Sequence, residues 1–243
     1  MLPKKFSYKK YLIIILLVIL VVIFMIQSTL ANNEFFSIGR EIRSILNKKE
    51  NKVLASVNGR HITQQDLDRA FILQNFLYKL QKEELEKNKQ EGTFDQNHLT
   101  YAEPKPKTKD EVLQTLIEKE MLYLESMEQG CAATDEEVER QVEEQKKLYQ
   151  DILDGKGELA KNQELVIMVE QMMKFAEGMG LTLEEYCEYM KPTIKKELSI
   201  NRLRNKILQQ LPDKERLDYN KSTQAMNEYI QKLYGKYKVE LNK

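Results

Sequence analysis

The chain has 243 residues with 38 Lys and Arg against 38 Asp and Glu. Four of the lysines lie in residues 1–31, so the remainder has a net charge of −4, which argues against nucleic acid as a partner. The apolar content of 42% is enough for a hydrophobic core in one domain or two small ones. Only nine glycines and five prolines are present, and this scarcity favours helices.

The most apolar segment runs from Tyr11 to Ile26, 16 residues without a charge. A helix needs about 17–25 residues to cross the hydrocarbon of a bilayer, so the segment spans a membrane if Gln27 to Leu30 extend it. We therefore predict a transmembrane signal anchor in residues 11–30. The alternative is a secretory signal peptide with a weak cleavage site at Thr29-Leu30-Ala31.

The charges around this segment predict its orientation. Lys4, Lys5, Lys9 and Lys10 precede it, and few basic residues follow it closely. By the positive-inside rule, residues 1–31 are a cytoplasmic tip and anchor, and the rest of the chain is extracytoplasmic. If the signal is cleaved instead, the rest is secreted.

Residues 32–51 combine apolar side chains at helical spacing with charged ones between them. The apolar set is Phe35, Ile38, Ile42, Ile45 and Leu46. Such a helix either lies on the membrane surface or is a spacer that continues from the anchor. We expect a juxtamembrane linker on which no function depends.

Residues 52–243 are predicted to form the folded domain, beginning with a short strand at Val53–Val57 and a tight turn at Asn58-Gly59. The Thr63 side chain is placed to accept the amide of Asp66, which opens a helix that we expect to end near Leu80. Residues 81–107 are mostly polar and contain two prolines, so they are predicted to be a loop or frayed extension.

The middle of the domain is predicted to be a helical hairpin. Thr108 to Glu111 form a capping box, Gly130 is a left-handed stop, and Thr134 opens the second helix. Two buried thiols or one disulfide are both open for Cys131 and Cys187, which would lie in an oxidising compartment.

The last third predicts further helices. Thr182 is a helix cap with Glu185 three residues later, and Pro192 is expected to split the helical segment that Thr182 begins. A final helix over about 222–234 leads to a strand at Tyr237–Leu241, which can pair with the strand at the start of the domain. The predicted fold class is therefore mainly α, with one small two-stranded β pairing between the two ends of the domain.

Two segments resemble the N-terminal chaperone domain of SurA/PrsA/PpiD-type exported foldases. Residues 53–67 resemble the opening strand, Asn-Gly turn and Ile-Thr helix start of that family, and 112–142 resemble its helical hairpin. The resemblance covers about a third of the chain and implies a chaperone fold that binds unfolded polypeptide. The His-Ile and Gly-Gly-Asp-Leu-Gly type segments of the parvulin isomerase domain are absent, so isomerase activity is not implied.

A methionine-rich helical segment supplies the candidate peptide-binding residues. These are Val166, Met168, Met172, Met173, Phe175 and Met179. Flexible methionine side chains suit promiscuous apolar surfaces, although packing in the core is the more common explanation for such a set. Most of the set lies on one helical stripe and is expected to pack inward, whereas Val166 and Met173 lie off it and are better placed for contact with a peptide.

The sequence carries no recognisable catalytic, metal-binding or nucleotide-binding motif. His61 and His98 have no Cys, Asp or second His at metal-ligand spacing, and the glutamate-rich stretches are typical of solvated helix faces. We expect no catalytic residues, cofactor, metal or small-molecule substrate. The expected function is a membrane-anchored module that binds unfolded exported polypeptides, and the alternatives are a module for one envelope or secretion partner and a proline isomerase.

Overall fold

The computed structural model describes residues 32–90, 104–216 and 218–242. The helices in this part are α1 Asn32–Leu46, α2 Gln64–Gln90, α3 Lys109–Glu128, α4 Asp135–Leu153, α5 Gln163–Met179, α6 Leu183–Leu208, α7 Asp213–Arg216 and α8 Tyr219–Lys236. The strands are β1 Val53–Val57, β2 Arg60–Thr63 and β3 Val239–Leu241, and Leu159–Lys161 form a 3-10 turn. The mainly helical fold class is confirmed.

The predicted transmembrane segment, residues 11–30, lies outside the described residues. Within 32–90, 104–216 and 218–242, no helix is both long enough and apolar enough to cross a membrane. The described residues divide into two units, one of 74–90 with 104–106 and one of 32–73 with 107–216 and 218–242.

The three strands form an antiparallel sheet in the order β2-β1-β3. Asn58 and Gly59 form the β1–β2 turn with positive φ angles of 48° and 81°, as a type I′ hairpin turn requires. On its other side β1 pairs with β3, where Val239 lies opposite Val57. The predicted pairing of the two ends is confirmed, but the sheet has three strands because Arg60–Thr63 continue the hairpin before α2 begins.

The main core lies between the sheet and helices α3, α6 and α8. Its buried members are Ala55, Val57, Ile62, Ile117, Met121, Leu122, Cys131, Ile200, Leu203, Ile207, Leu233 and Tyr237. A second apolar cluster, Ala133, Val138, Val142 and Cys187, joins α4 to α6. Both cysteines are free and buried in different clusters, so the interpretation as two unpaired thiols is the correct one.

The predicted helix starts are confirmed. Thr108, Thr134 and Thr182 each form a capping box with the glutamate three residues later. The Thr63 hydroxyl accepts the Asp66 amide at 3.3 Å. Each cap satisfies backbone amides that the first turn of a helix leaves without a partner.

Helix α2 is longer than predicted. It continues past Leu80 to Gln90, so the loop predicted for 81–107 begins later, and its residues 91–103 lie outside the described part. The added turns are rich in Lys, Glu and Gln, which are good helix formers. Lys79 and Lys82 also approach Glu83 and Glu86 one turn ahead, with N–O distances of 4.0 Å.

Pro192 does not split the helix that contains it, contrary to the prediction. It lies inside α6, which runs unbroken from Leu183 to Leu208. A proline there removes one helical hydrogen bond and crowds the preceding turn. The helix is held to α4 by ion pairs on both sides of the proline, from Lys191 to Glu139 and from Lys195 to Asp135, both at 2.6 Å.

Two glutamates of α3 are buried and surrounded by donors. Glu120 binds Arg60 of β2 and Lys196 of α6, and both cations lie over the ring of Tyr123, 5.1 and 5.4 Å from its centroid. The cluster thereby fastens the sheet and α6 to the same turn of α3.

Glu125, only 3% exposed, forms the other cluster. Its carboxylate accepts the Tyr229 hydroxyl at 2.9 Å and the Tyr237 hydroxyl at 2.8 Å, and it binds the Lys236 ammonium. Burial raises the pKa of Glu125, but these hydrogen bonds and one from Gln129 outweigh it and lower the pKa to about 2. The cluster ties α8 and the residues leading into β3 to α3.

Helices α1 and α5 cross at two glycines. A Cβ added to Gly39 would overlap the carbonyl oxygen of Phe175, and one added to Gly178 would overlap that of Phe36. The backbones are therefore in direct contact, and α1 buries Phe35, Ile42 and Ile45. Most of the segment expected to be a spacer is a packed helix, because its apolar stripe finds a partner in α5.

We expect Gly39→Ala and Gly178→Ala each to lower the free energy of unfolding by about 1–3 kcal/mol, because the added methyl group forces the helices apart. Urea unfolding followed by circular dichroism measures the change. Gly235→Ala in α8 is the matched control, since no atom lies within 4 Å of its added methyl group. There, the better helix propensity of alanine raises stability by up to about 1 kcal/mol. Equal effects at all three glycines would contradict the close crossing.

We expect Glu125→Gln to lower the free energy of unfolding at neutral pH by about 1–3 kcal/mol. The pKa of Glu125 is about 2 in the folded protein against an ordinary 4.5, so the carboxylate stabilises the fold above pH 4.5. That contribution is lost as the pH falls from 4.5 towards 2. The Glu125→Gln variant should therefore lose less stability than the wild type over this range. The control Glu144→Gln, at an exposed position of α4, should lose as much stability as the wild type.

Candidate functional site

The six candidate residues on α5 divide by burial. Met168 and Met179 are buried, whereas Val166, Met172, Met173 and Phe175 are half-buried. Phe175 packs edge-to-face on Tyr186 of α6, with ring centroids 6.1 Å apart and planes at 82°. Met168 and Met179 are thus core residues, as the stripe predicted. A role in binding peptide stays a prediction for the set, and the partly exposed Val166 and Met173 are its best placed members.

An exposed residue that the sequence pattern did not single out lies beside them. Ile167 is 42% exposed, and Leu153 at the end of α4 and Leu159 in the 3-10 turn are also exposed. The three segments that carry these side chains contact one another in pairs. We call Leu153, Leu159, Val166 and Ile167 the α4–α5 surface. The sequence did carry a signal for the exposure of Ile167. Leu165 to Val169 are five successive apolar residues, and a helix cannot bury five successive side chains.

Charged residues surround the α4–α5 surface: Glu164 and Glu170 lie one helical turn on either side of Ile167, and two ion pairs lie in the loop between α4 and α5. Lys156 binds Asp154 at 2.8 Å and Lys161 binds Glu158 at 2.7 Å, all four within the loop between α4 and α5 or next to it. The surface is therefore apolar, with balanced charge in the loop and an acidic residue on either side of Ile167. Such a surface favours contact with apolar side chains and disfavours acidic ones.

The titratable groups near this surface whose pKa values are altered have them shifted away from neutral pH. The hydrogen bond from Lys156 lowers the pKa of Asp154, and burial raises the pKa of Tyr149 to about 12. Burial likewise raises the pKa of the Cys187 thiol. A general acid or base works best with a pKa near the working pH, so these groups are poorly suited to proton transfer. Among the described residues no group of three His, Cys, Asp or Glu side chains could hold a metal ion.

Comparison with known proteins identifies the family. The family model of the SurA-like N-terminal domain matches residues 4–166, more than half of the chain. The match covers the sheet hairpin and the α3–α4 hairpin, the two segments whose sequences resemble that family. No curated protein matches the chain. This chain belongs to the SurA-like N-terminal domain family, a family of chaperone-type modules.

Proposed function

We propose that the protein is a chaperone module that binds unfolded or extended segments of exported polypeptides without catalysis. The observation that carries this proposal is the α4–α5 surface, where Leu153, Leu159 and Ile167 are exposed on segments in mutual contact. Exposed large apolar side chains on neighbouring segments are candidates for contact with other proteins. Membership of the family supports peptide binding in general.

The chemistry of this surface suits many different clients. Burying apolar area contributes about 25 cal/mol per Å² whatever the order of the residues buried. The ion pairs of the loop add little selection by charge, and Glu164 and Glu170 beside Ile167 disfavour only acidic clients. Binding would therefore be weak, reversible and tolerant of sequence, and it would require no nucleotide.

We further propose that the module is anchored by residues 11–30 on the outer side of the cytoplasmic membrane. The charge-free apolar run and the four lysines before it support this placement. Secretion after cleavage near Ala31 is the alternative.

Protease treatment of intact spheroplasts should digest the domain and leave a membrane-bound N-terminal fragment if the anchor is retained.

Aggregation of several unrelated unfolded proteins tests the binding of clients. We expect the full chain to suppress light scattering, and Ile167→Asp to weaken the suppression at least several-fold because a carboxylate opposes apolar burial. Tyr219→Asp is the matched control, since it removes an apolar side chain that is 71% exposed on α8. Ile167→Asp should keep the melting temperature within a few degrees of the wild type.

Two results would count against this proposal. If the wild type suppresses no client, general chaperone activity is excluded, and one stoichiometric partner in a membrane pull-down would assign the module to a single envelope or secretion complex. If Tyr219→Asp and Ile167→Asp weaken suppression equally, the α4–α5 surface is not the binding site.

Proline isomerisation in a refolding assay tests the absence of catalysis. We expect the slow, proline-limited phase to keep its uncatalysed time of tens to hundreds of seconds when the full chain is added. The chain lacks the characteristic segments of the parvulin domain, and the perturbed groups near the α4–α5 surface are shifted away from neutral pH. A rate that rises in proportion to the concentration of the protein would disprove this part of the proposal.

A further inference from the structure

In the part of the chain that the structure describes, strand β3 lies at the edge of the sheet, so one row of its backbone groups has no partner strand there. The backbone N–H of Asn58 donates to the backbone carbonyl of Lys238 at 2.9 Å, and the backbone N–H of Asn242 donates to that of Leu54 at 2.8 Å. Residues 238 and 242 therefore turn their backbone groups towards β1. In an antiparallel pair this direction alternates, so the amides and carbonyls of residues 239 and 241 point away from β1.

The side chain of Leu241 is exposed on the apolar face of the sheet. Leu241 lies opposite Ala55, and Val239 opposite Val57, so all four side chains share one face. Ala55 and Val57 are fully buried and Val239 packs against the core, yet Leu241 is 63% exposed. The apolar face of the sheet thus continues beyond the part that the described helices cover.

The charges of β3 do not block this edge. Lys238 and Glu240 alternate with Val239 and Leu241, so they occupy the opposite face of the strand. There Glu240 accepts the Ser56 hydroxyl at 3.1 Å and pairs with Lys238. Edge strands are commonly guarded by charges, by prolines or by short length, and β3 is short. The charges next to it in the described part of the chain, Lys238 and Glu240, are held on the face opposite to Leu241.

We propose that the outer edge of β3 binds an extended, apolar segment of client polypeptide as a fourth strand. Only another extended backbone presents donors and acceptors at the spacing of residues 239 and 241, and Leu241 offers its side chain an apolar neighbour. This inference rests on the proposed function and adds the conformation in which part of the client is held. The short strand allows few hydrogen bonds, which suits rapid release.

A proline at position 241 tests the edge directly. Leu241→Pro removes an outward amide and leaves the hydrogen bonds to β1 intact, whereas Leu241→Ala keeps the amide and removes the side chain. The probe is a fluorescent peptide of about ten residues with alternating Val and Thr. We expect Leu241→Pro to raise its Kd about fivefold relative to Leu241→Ala, the effect of one hydrogen bond. The melting temperature of both variants verifies that they fold.

N-methylated peptides test the same point with the wild-type chain. A peptide methylated at every second amide keeps one edge free and should bind like the parent peptide. A peptide methylated at every central amide has no free edge and should not bind, although it is more apolar. Amide hydrogen exchange at residues 239 and 241 should slow when the parent peptide is bound.

Three outcomes would overturn the binding of a client strand at this edge. Equal binding of all three peptides, with Leu241→Pro like Leu241→Ala, would assign peptide binding to apolar contact alone. Aggregation suppression that depends on Ile167 without any binding of the peptides would refute the edge site and keep the proposed function. A concentration-dependent dimer that Leu241→Pro dissociates, and that the peptide does not, would assign the edge to a second copy of the chain.

Discussion

The fold depends on the placement of β1 between a strand that follows it directly and a strand that is distant along the chain. The hairpin supplies β2 directly, but β3 reaches β1 only after the chain has passed through α2 to α8. This arrangement buries Ala55 and Val57 completely and gives helices α3, α6 and α8 a common apolar layer to pack on. Glu125 reinforces the same closure, because its hydrogen bonds come from Tyr229 and Tyr237, just before β3.

Helix α5 meets two opposed requirements. On one side Gly178 lets the backbone of α1 approach so closely that no side chain fits between the two helices. On another side Ile167 is left in contact with solvent. The solvent-facing side of α5 is otherwise polar, and Ile167 lies there among Gln163, Glu170, Lys174 and Glu177. The close crossing with α1 therefore leaves this apolar side chain available for contact with another protein.

Local chemistry made much of this fold predictable, and tertiary context accounts for the features that the sequence left undecided. Caps such as Thr134 and the Asn58-Gly59 turn depend on neighbouring residues, so the pattern alone identifies them. The prediction for Pro192 was wrong because α6 packs against α3 and α4, and this tertiary packing cannot be read from the residues around the proline. Likewise Met168 and Ile167 are adjacent apolar residues, and only the packing of α5 determines which is buried and which is exposed.

The return of β3 to β1 has a consequence for the order of folding. Ser56 lies opposite Glu240, so the sheet joins residues that are separated by most of the chain. Contacts of such long range form slowly, because the entropy of closing a long loop is lost before the contact can stabilise the chain. During synthesis, β1 and its hairpin emerge early, and the edge of β1 stays unpaired until β3 has been made. The nascent protein therefore passes through a stage in which it exposes the kind of unpaired strand for which it would itself be a chaperone.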